Sequence, residues 1–160
     1  MEEHGFTLAK FAGPLKDMLR AYYKSQGVFG TELERRIEGD LKEEPCKYLN
    51  GRTPRHAMET LGTEWGRICM GDTFWIEAWE RLLDLIPGTA VVDDCRFDNE
   101  AAAIHLNGGK IIKLKPVVRR RKKSSHVAEA GISDKLVDHV IVNDGTILDL
   151  QKKIGQVVGR

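Results

Sequence analysis

A short β-branched run, Thr89-Ala90-Val91-Val92, ends abruptly in Asp93-Asp94-Cys95-Arg96 and then opens into the polar start of a helix at Asn99-Glu100. An apolar run of this length, bounded by turn residues and followed by a helix, reads as a buried parallel strand. Similar runs recur at Phe6–Phe11, Lys110–Leu114 and Val140–Val142, separated by stretches with helical spacing. Strands alternating with helices specify an α/β chain: a mostly parallel sheet flanked by helices. In such sheets ligands bind just past the carboxyl ends of the strands, which is where Asp93, Asp94 and Arg96 fall. A carboxylate able to hold Mg²⁺ beside a guanidinium able to hold phosphate is the pairing that phosphate transfer needs. A solvated acidic turn, with Arg96 closing a salt bridge, accounts for the same residues.

The intervening helices are legible from their apolar spacing and stops. Pro14 suits a first helical position, and Leu15, Met18, Leu19, Tyr22 and Tyr23 give an amphipathic helix over 14–26 ended by Gly27. A short helix is expected near 31–38, then a mobile Lys- and Glu-rich loop to 53. Pro54 restarts helix through Leu61, followed by the break-like Gly62-Thr63-Glu64-Trp65-Gly66-Arg67. Asp72 or Thr73 caps a helix with Phe74, Ile76, Trp79, Leu82, Leu83 and Ile86 inward, stopped by Pro87-Gly88. A helix over about 99–106 turns at Gly108-Gly109 into the strand at 110–114. After Asn143-Asp144-Gly145, Thr146 caps a last helix whose inner side is Ile147, Leu148, Leu150, Ile154, Val157 and Val158.

The 160 residues point to one domain, 1–160, able to bury roughly 70% of its unfolded surface. A net charge of +1 argues against bulk attraction to nucleic acid. No apolar run approaches the roughly 18 residues of a membrane span, and Met1-Glu2-Glu3-His4-Gly5 does not resemble an export signal, so a cytoplasmic protein is expected. Cys46, Cys69 and Cys95 lack CxxC spacing and fit reduced thiols; His56, His105 and His139 have no spaced metal partners.

Three stretches carry candidate chemistry. In Gly62–Arg67 the glycines permit close backbone approach, Trp65 offers a face for a flat base, and Arg67 offers a bidentate phosphate fork; a helix break with Trp65 in the core is the rival. Arg119-Arg120-Arg121-Lys122-Lys123 is too charged to pack inside: it fits a lid over polyphosphate, a nucleic-acid patch or a solvated loop. Lys16 sits in the first turn of its helix, where the dipole disfavours a cation unless an anion is near.

Read together, Phe11–Lys16, Leu61–Arg67, Asp93–Glu100, Gly108-Gly109, His126–Glu129 and Asn143–Thr146 resemble, in order and spacing, the deoxynucleoside monophosphate kinases of phages and prophages. Gly13 stands where that family tends to have Asp, and Ala128 where it tends to have Ser. The resemblance implies a P-loop kinase-like fold with a lid at about 117–130, and transfer of the ATP γ-phosphoryl to a deoxynucleoside monophosphate in the host cytoplasm. It implies substrate binding by Lys16, Thr63, Glu64, Trp65, Arg67 and Arg96, catalysis by Asp94, Arg96, Arg119 and Arg120, and Mg²⁺ at Asp93 or Asp94. Family members begin with a strand, a loop ending in Gly-Lys and a helix; the chain contains no GxxxxGK, so the expectation is a kinase fold with the P-loop strand and helix missing. That loop supplies the cradle for the β- and γ-phosphates, which leaves use of ATP and Mg²⁺ open. Three readings follow: a kinase, an inactive dNMP-binding module derived from one, and a nucleic-acid-contacting interaction protein, the last disfavoured by charge. A homodimer is one route to covering strand edges left bare.

Overall fold

The computed structural model describes residues 5–117 and 131–159, which pack as two compact units divided between Asp94 and Cys95. The first contains a strand β1 (Phe6–Leu8), helices α1 (Gly13–Ser25), α2 (Gly30–Ile37) and α3 (Pro54–Thr60), a π-helix (Leu61–Met70), α4 (Phe74–Leu83) and strand β2 (Thr89–Val91). The second contains α5 (Asp98–Leu106), β3 (Ile112–Pro116), β4 (His139–Asn143) and α6 (Ile147–Val158). The α/β expectation and its parallel pairing hold. The described strands form two separate two-stranded parallel sheets, β1 with β2 from Phe6↔Thr89 to Leu8↔Val91, and β3 with β4 from Ile112↔His139 to Pro116↔Asn143.

In the first unit the core is built where helical spacing brings apolar faces together. Leu19 and Tyr23 of α1 meet Leu33 and Ile37 of α2, with Val28 and Cys46 closing the cluster. Burial pushes the Tyr23 hydroxyl well above its usual range, and its bond to the Cys46 thiol adds to the shift. The stretch after α2 is not the mobile loop expected. Two 3-10 turns, Asp40–Glu43 and Lys47–Leu49, are held by Cys46 N–H donating to the Arg52 carbonyl (3.0 Å) and Gly51 N–H to the Cys46 carbonyl (3.0 Å). Arg35 pairs with Asp40 and Arg55 with Glu43, so the charges read as loop-forming instead pin the turns.

The helix break expected at Gly62–Arg67 is a helix. Pro54–Met70 runs on without interruption and widens at Leu61 into π geometry, shown by Gly71 N–H donating to the Gly66 carbonyl five residues back. The cause is visible in the packing. The Trp75 indole lies against Gly66, where an added Cβ would come within 2.5 Å of Cε2 and 2.7 Å of Cζ2, and its N–H donates to the Gly62 carbonyl at 2.8 Å. Sequence reasoning placed Phe74, Ile76 and Trp79 on the inner face of α4 but passed over Trp75, which is buried. Thr73 precedes α4 as expected, although its hydroxyl bonds the Glu77 carboxylate rather than capping the backbone.

In the second unit Glu100 reaches back to accept the Arg96 and Phe97 N–H groups (2.7 and 3.2 Å), fixing the start of α5. Thr146 caps α6 as read from the sequence, its hydroxyl accepting the Asp149 N–H (3.3 Å) while Asp149 accepts the Thr146 N–H (2.9 Å). The inner side assigned to α6 is wrong in part: Ile147, Leu148 and Val158 are exposed and no residue of the helix is buried.

Candidate functional site

The expected site residues sort into two places in the first unit, with others elsewhere. The first place is the start of α1. Both oxygens of the Asp94 carboxylate accept backbone N–H groups, from Phe11 at 3.0 Å and Ala12 at 2.9 Å. A carboxylate is favoured beside a helix N-terminus, so the end of β2 is tied to the entry of α1. Asp93 pairs with Lys10 at 3.2 Å. Lys16, one turn in, donates to both oxygens of Glu38 at 2.9 and 2.8 Å. Burial pushes the Glu38 carboxyl up, but the Lys16 bond and charge, with Lys10 and Arg20, outweigh it and hold the group below its ordinary range. The anion that the dipole argument asked for beside Lys16 is therefore a carboxylate of the chain itself.

The second place is an open hollow of about 580 Å³ between α1, α3 and the π-helix. Its walls are Met18, Leu19 and Tyr22 of α1, Leu49, Ala57 and Thr60, then Leu61, Glu64, Trp65 and Cys69. This volume lies within the range of small-molecule pockets. The π-helix sets which side chains face it: Trp65 packs edge-on to Phe74 (5.3 Å) and tilted to Trp75 (6.0 Å), so the ring is propped from behind. Glu64 stands exposed on the lining and Thr63 is half-buried. Arg67 is nearly covered, its side chain 9% exposed, and its guanidinium donates to the Asp72 carboxylate at 2.9 Å and the Asp72 carbonyl at 3.3 Å. Met18 and Tyr22, read from spacing as core, are 42% and 40% exposed because they form this wall.

Arg96 belongs to the second unit; it is exposed, and among the described residues only its backbone N–H is engaged, by Glu100. Arg119 and Arg120, with the rest of the basic run and His126–Glu129, lie outside the described residues. No helix among the described residues is long and apolar enough to cross a membrane.

A model of the deoxynucleotide monophosphate kinase family matches residues 41–154. The chain belongs to that family. It is 29% identical over 166 residues to an Acanthamoeba polyphaga mimivirus protein provisionally named a deoxynucleotide monophosphate kinase, covering 94% of this chain and 81% of that one. It is 31% identical over 98 residues to the deoxynucleoside-5′-monophosphate kinase of Escherichia phage T5, covering 57% of this chain and 39% of the phage protein. Thr63, Glu64, Trp65, Arg67, Asp93, Asp94 and Arg96 all fall inside the stretch that the kinase family matches, whereas Lys16 precedes it.

A kinase of this family implies Mg²⁺ and ATP, and the carboxylates can be tested against the ion. Among the described residues no three metal-ligating side chains cluster. Asp94 has both oxygens on amides and Asp93 faces a lysine. So engaged, neither carboxylate fits as a ready ligand for the Mg²⁺ expected at Asp93 or Asp94.

Proposed function

We propose that the chain forms the acceptor side of a deoxynucleoside monophosphate kinase, binding a dNMP in the α1/α3/π-helix hollow for phosphorylation by ATP to the dNDP. The observation that carries this reading is the coincidence of the family match with the hollow: Thr63, Glu64, Trp65 and Arg67 lie in the matched stretch, and Glu64 and Trp65 line an open hollow of about 580 Å³. In this reading Trp65 covers the base and Arg67 turns from Asp72 to the phosphate, exchanging one carboxylate partner for another anion of matching geometry. Catalytic roles for Arg96, Arg119 and Arg120 rest on membership of the kinase family alone. Lys16 and Asp94 act on this site through the placement of α1, which forms one wall.

A second reading is a nucleotide-binding module that has lost transfer, favoured by an aspartate pair engaged by amides and a lysine. Calorimetry with dNMPs and ATP, run beside an assay for dNDP, separates the two. Formation of dNDP establishes the kinase; dNMP binding without ATP binding or product establishes the module. Arg67→Ala should weaken dNMP binding by about tenfold or more, the loss expected for one charge-assisted bidentate partner. Asp72→Ala removes the same ion pair and should leave dNMP affinity unchanged or improved, so equal losses in both variants refute a phosphate role for Arg67.

A further inference from the structure

Three cations gather past the carboxyl ends of β1 and β2, the end of a parallel sheet where ligands bind. Lys10 follows β1 and pairs with Asp93 at 3.2 Å; Lys16 and Arg20 stand on the first two turns of α1. All three act on one carboxylate, Glu38. Lys16 donates to both of its oxygens (2.9 and 2.8 Å), Arg20 donates to one (3.4 Å), and the charge of Lys10 adds to theirs. The cluster is distinct from the hollow. On α1 it is Met18, Leu19 and Tyr22 that line the hollow, whereas Lys16 and Arg20 bond to carboxylates of α2 and its C-cap.

The two sides of this contact are not equally fixed. The Lys16 side chain is 15% exposed and that of Glu38 41%. Arg20 keeps Glu34 and Asp17 as partners without Glu38, at 2.9 to 3.0 Å. Lys16 has no ion-pair partner but Glu38 among the described residues. Glu38 itself caps the C-terminal end of α2, where the helix dipole disfavours an anion. The cations are thus held in place and the carboxylate is the loose partner, seated among them against the field of its own helix. Two oxygens offered to one ammonium are also what a phosphate group offers. We propose that Glu38 is a built-in substitute for a phosphate group, occupying Lys16 in the free chain and giving way when the phosphate of a ligand enters between Lys10, Lys16 and Arg20. This goes beyond the dNMP reading and does not rest on the hollow: it names a carboxylate of the chain that competes with a ligand for an anion site on the other flank of α1.

The test is calorimetric titration of the full chain with inorganic phosphate, dTMP and ATP, at one ionic strength, in wild type, Glu38→Gln and Asp17→Asn. Leu33 and Ile37, 2% and 0% exposed, keep α2 seated in the Glu38 variant. Asp17→Asn removes a negative charge from the same network, at Arg20, and leaves the Lys16 contact intact. Glu38→Gln should bind a phosphate-bearing titrant about fivefold tighter than wild type, the gain from removing a competing surface ion pair, while Asp17→Asn stays within about twofold. Adding Lys16→Met to Glu38→Gln should abolish the gain. An ion pair that only ties α1 to α2 predicts the opposite, because its loss loosens the helices and improves no affinity. A gain for all three titrants assigns the site to the phosphate group itself; a gain confined to dTMP or to ATP assigns it to that nucleotide. Unchanged or weaker binding in Glu38→Gln, or an equal gain in Asp17→Asn, overturns the proposal, and the dNMP reading stands wherever wild type binds dTMP. Failure of every titrant to bind any of the proteins overturns both.

Discussion

Gly66→Ala is the sharpest perturbation of the structure that shapes the hollow. A methyl at Gly66 would sit 2.5 and 2.7 Å from two ring carbons of Trp75, distances at which one partner has to move. Trp75 is only 4% exposed and its N–H is fixed to Gly62, so the ring has little room. If it shifts, the indole donor loses its acceptor, which costs about 1–3 kcal/mol, and the crowding itself about 1–3 kcal/mol more. Exchanging glycine for alanine within a helix returns about 1 kcal/mol. The net loss is about 1–5 kcal/mol, at its upper end a large part of the 5–15 kcal/mol typical of a folded domain. Urea unfolding followed by tryptophan fluorescence should show the midpoint falling by about 0.5–2.5 M for a slope of about 2 kcal/mol/M. Gly62→Ala is the paired control, since its added Cβ would meet only Leu15 Cδ2 at 3.5 Å, an ordinary contact. That variant should unfold with wild type or slightly later. If Gly66→Ala is as stable as Gly62→Ala, the seat of Trp75 on the helix is refuted, and with it the physical reason offered for the π geometry.

Two further outcomes test the start of α1. Asp94→Asn leaves one of two amide donors facing an NH₂ group, and should cost about 1–3 kcal/mol; thermal unfolding measures this, and faster hydrogen exchange at Phe11 and Ala12 localises it. Lys16→Met removes the partner that holds Glu38 below its ordinary value of 4.5, at a cost of about 1 kcal/mol near neutral pH. A depressed carboxyl stabilises above its unfolded value and loses that contribution as pH falls through the folded one. The gap in urea midpoint between wild type and Lys16→Met should therefore be widest near pH 7 and shrink as pH falls below 4.5. A gap independent of pH would mean that the pair does not set the Glu38 titration.

Much of the local structure was legible because it depends on neighbours in sequence. Helical spacing of Leu15, Leu19 and Tyr23 and the Thr146 cap need only a few residues to operate, and both are present. The site was legible in composition but not in arrangement. Nothing in the local pattern says that Asp94 will be taken by amides 82 and 83 residues away, because backbone donors are invisible in a sequence. The π-helix was misread as a break for a related reason: two glycines do weaken a helix taken alone. A large aromatic that needs a bare backbone to rest on reverses their meaning, and the signal available was the four-residue Gly62–Gly66 spacing upstream of Trp75. Met18 and Tyr22 show the same limit, since apolar residues on one helix face do not reveal which of them border a hollow.

The pairing of β1 with β2 has a consequence for how the protein comes into being. Phe11 and Asp94 are 83 residues apart, and closing so long a loop costs about 2 kcal/mol more entropy than closing one of ten residues. On a ribosome, α1, α2 and α3 can condense while later codons are still being read, but the parallel strands cannot join until β2 has left the exit tunnel. The aspartate latch is thus a final event in the assembly of the first unit, and the edge of β1 stays open until it closes.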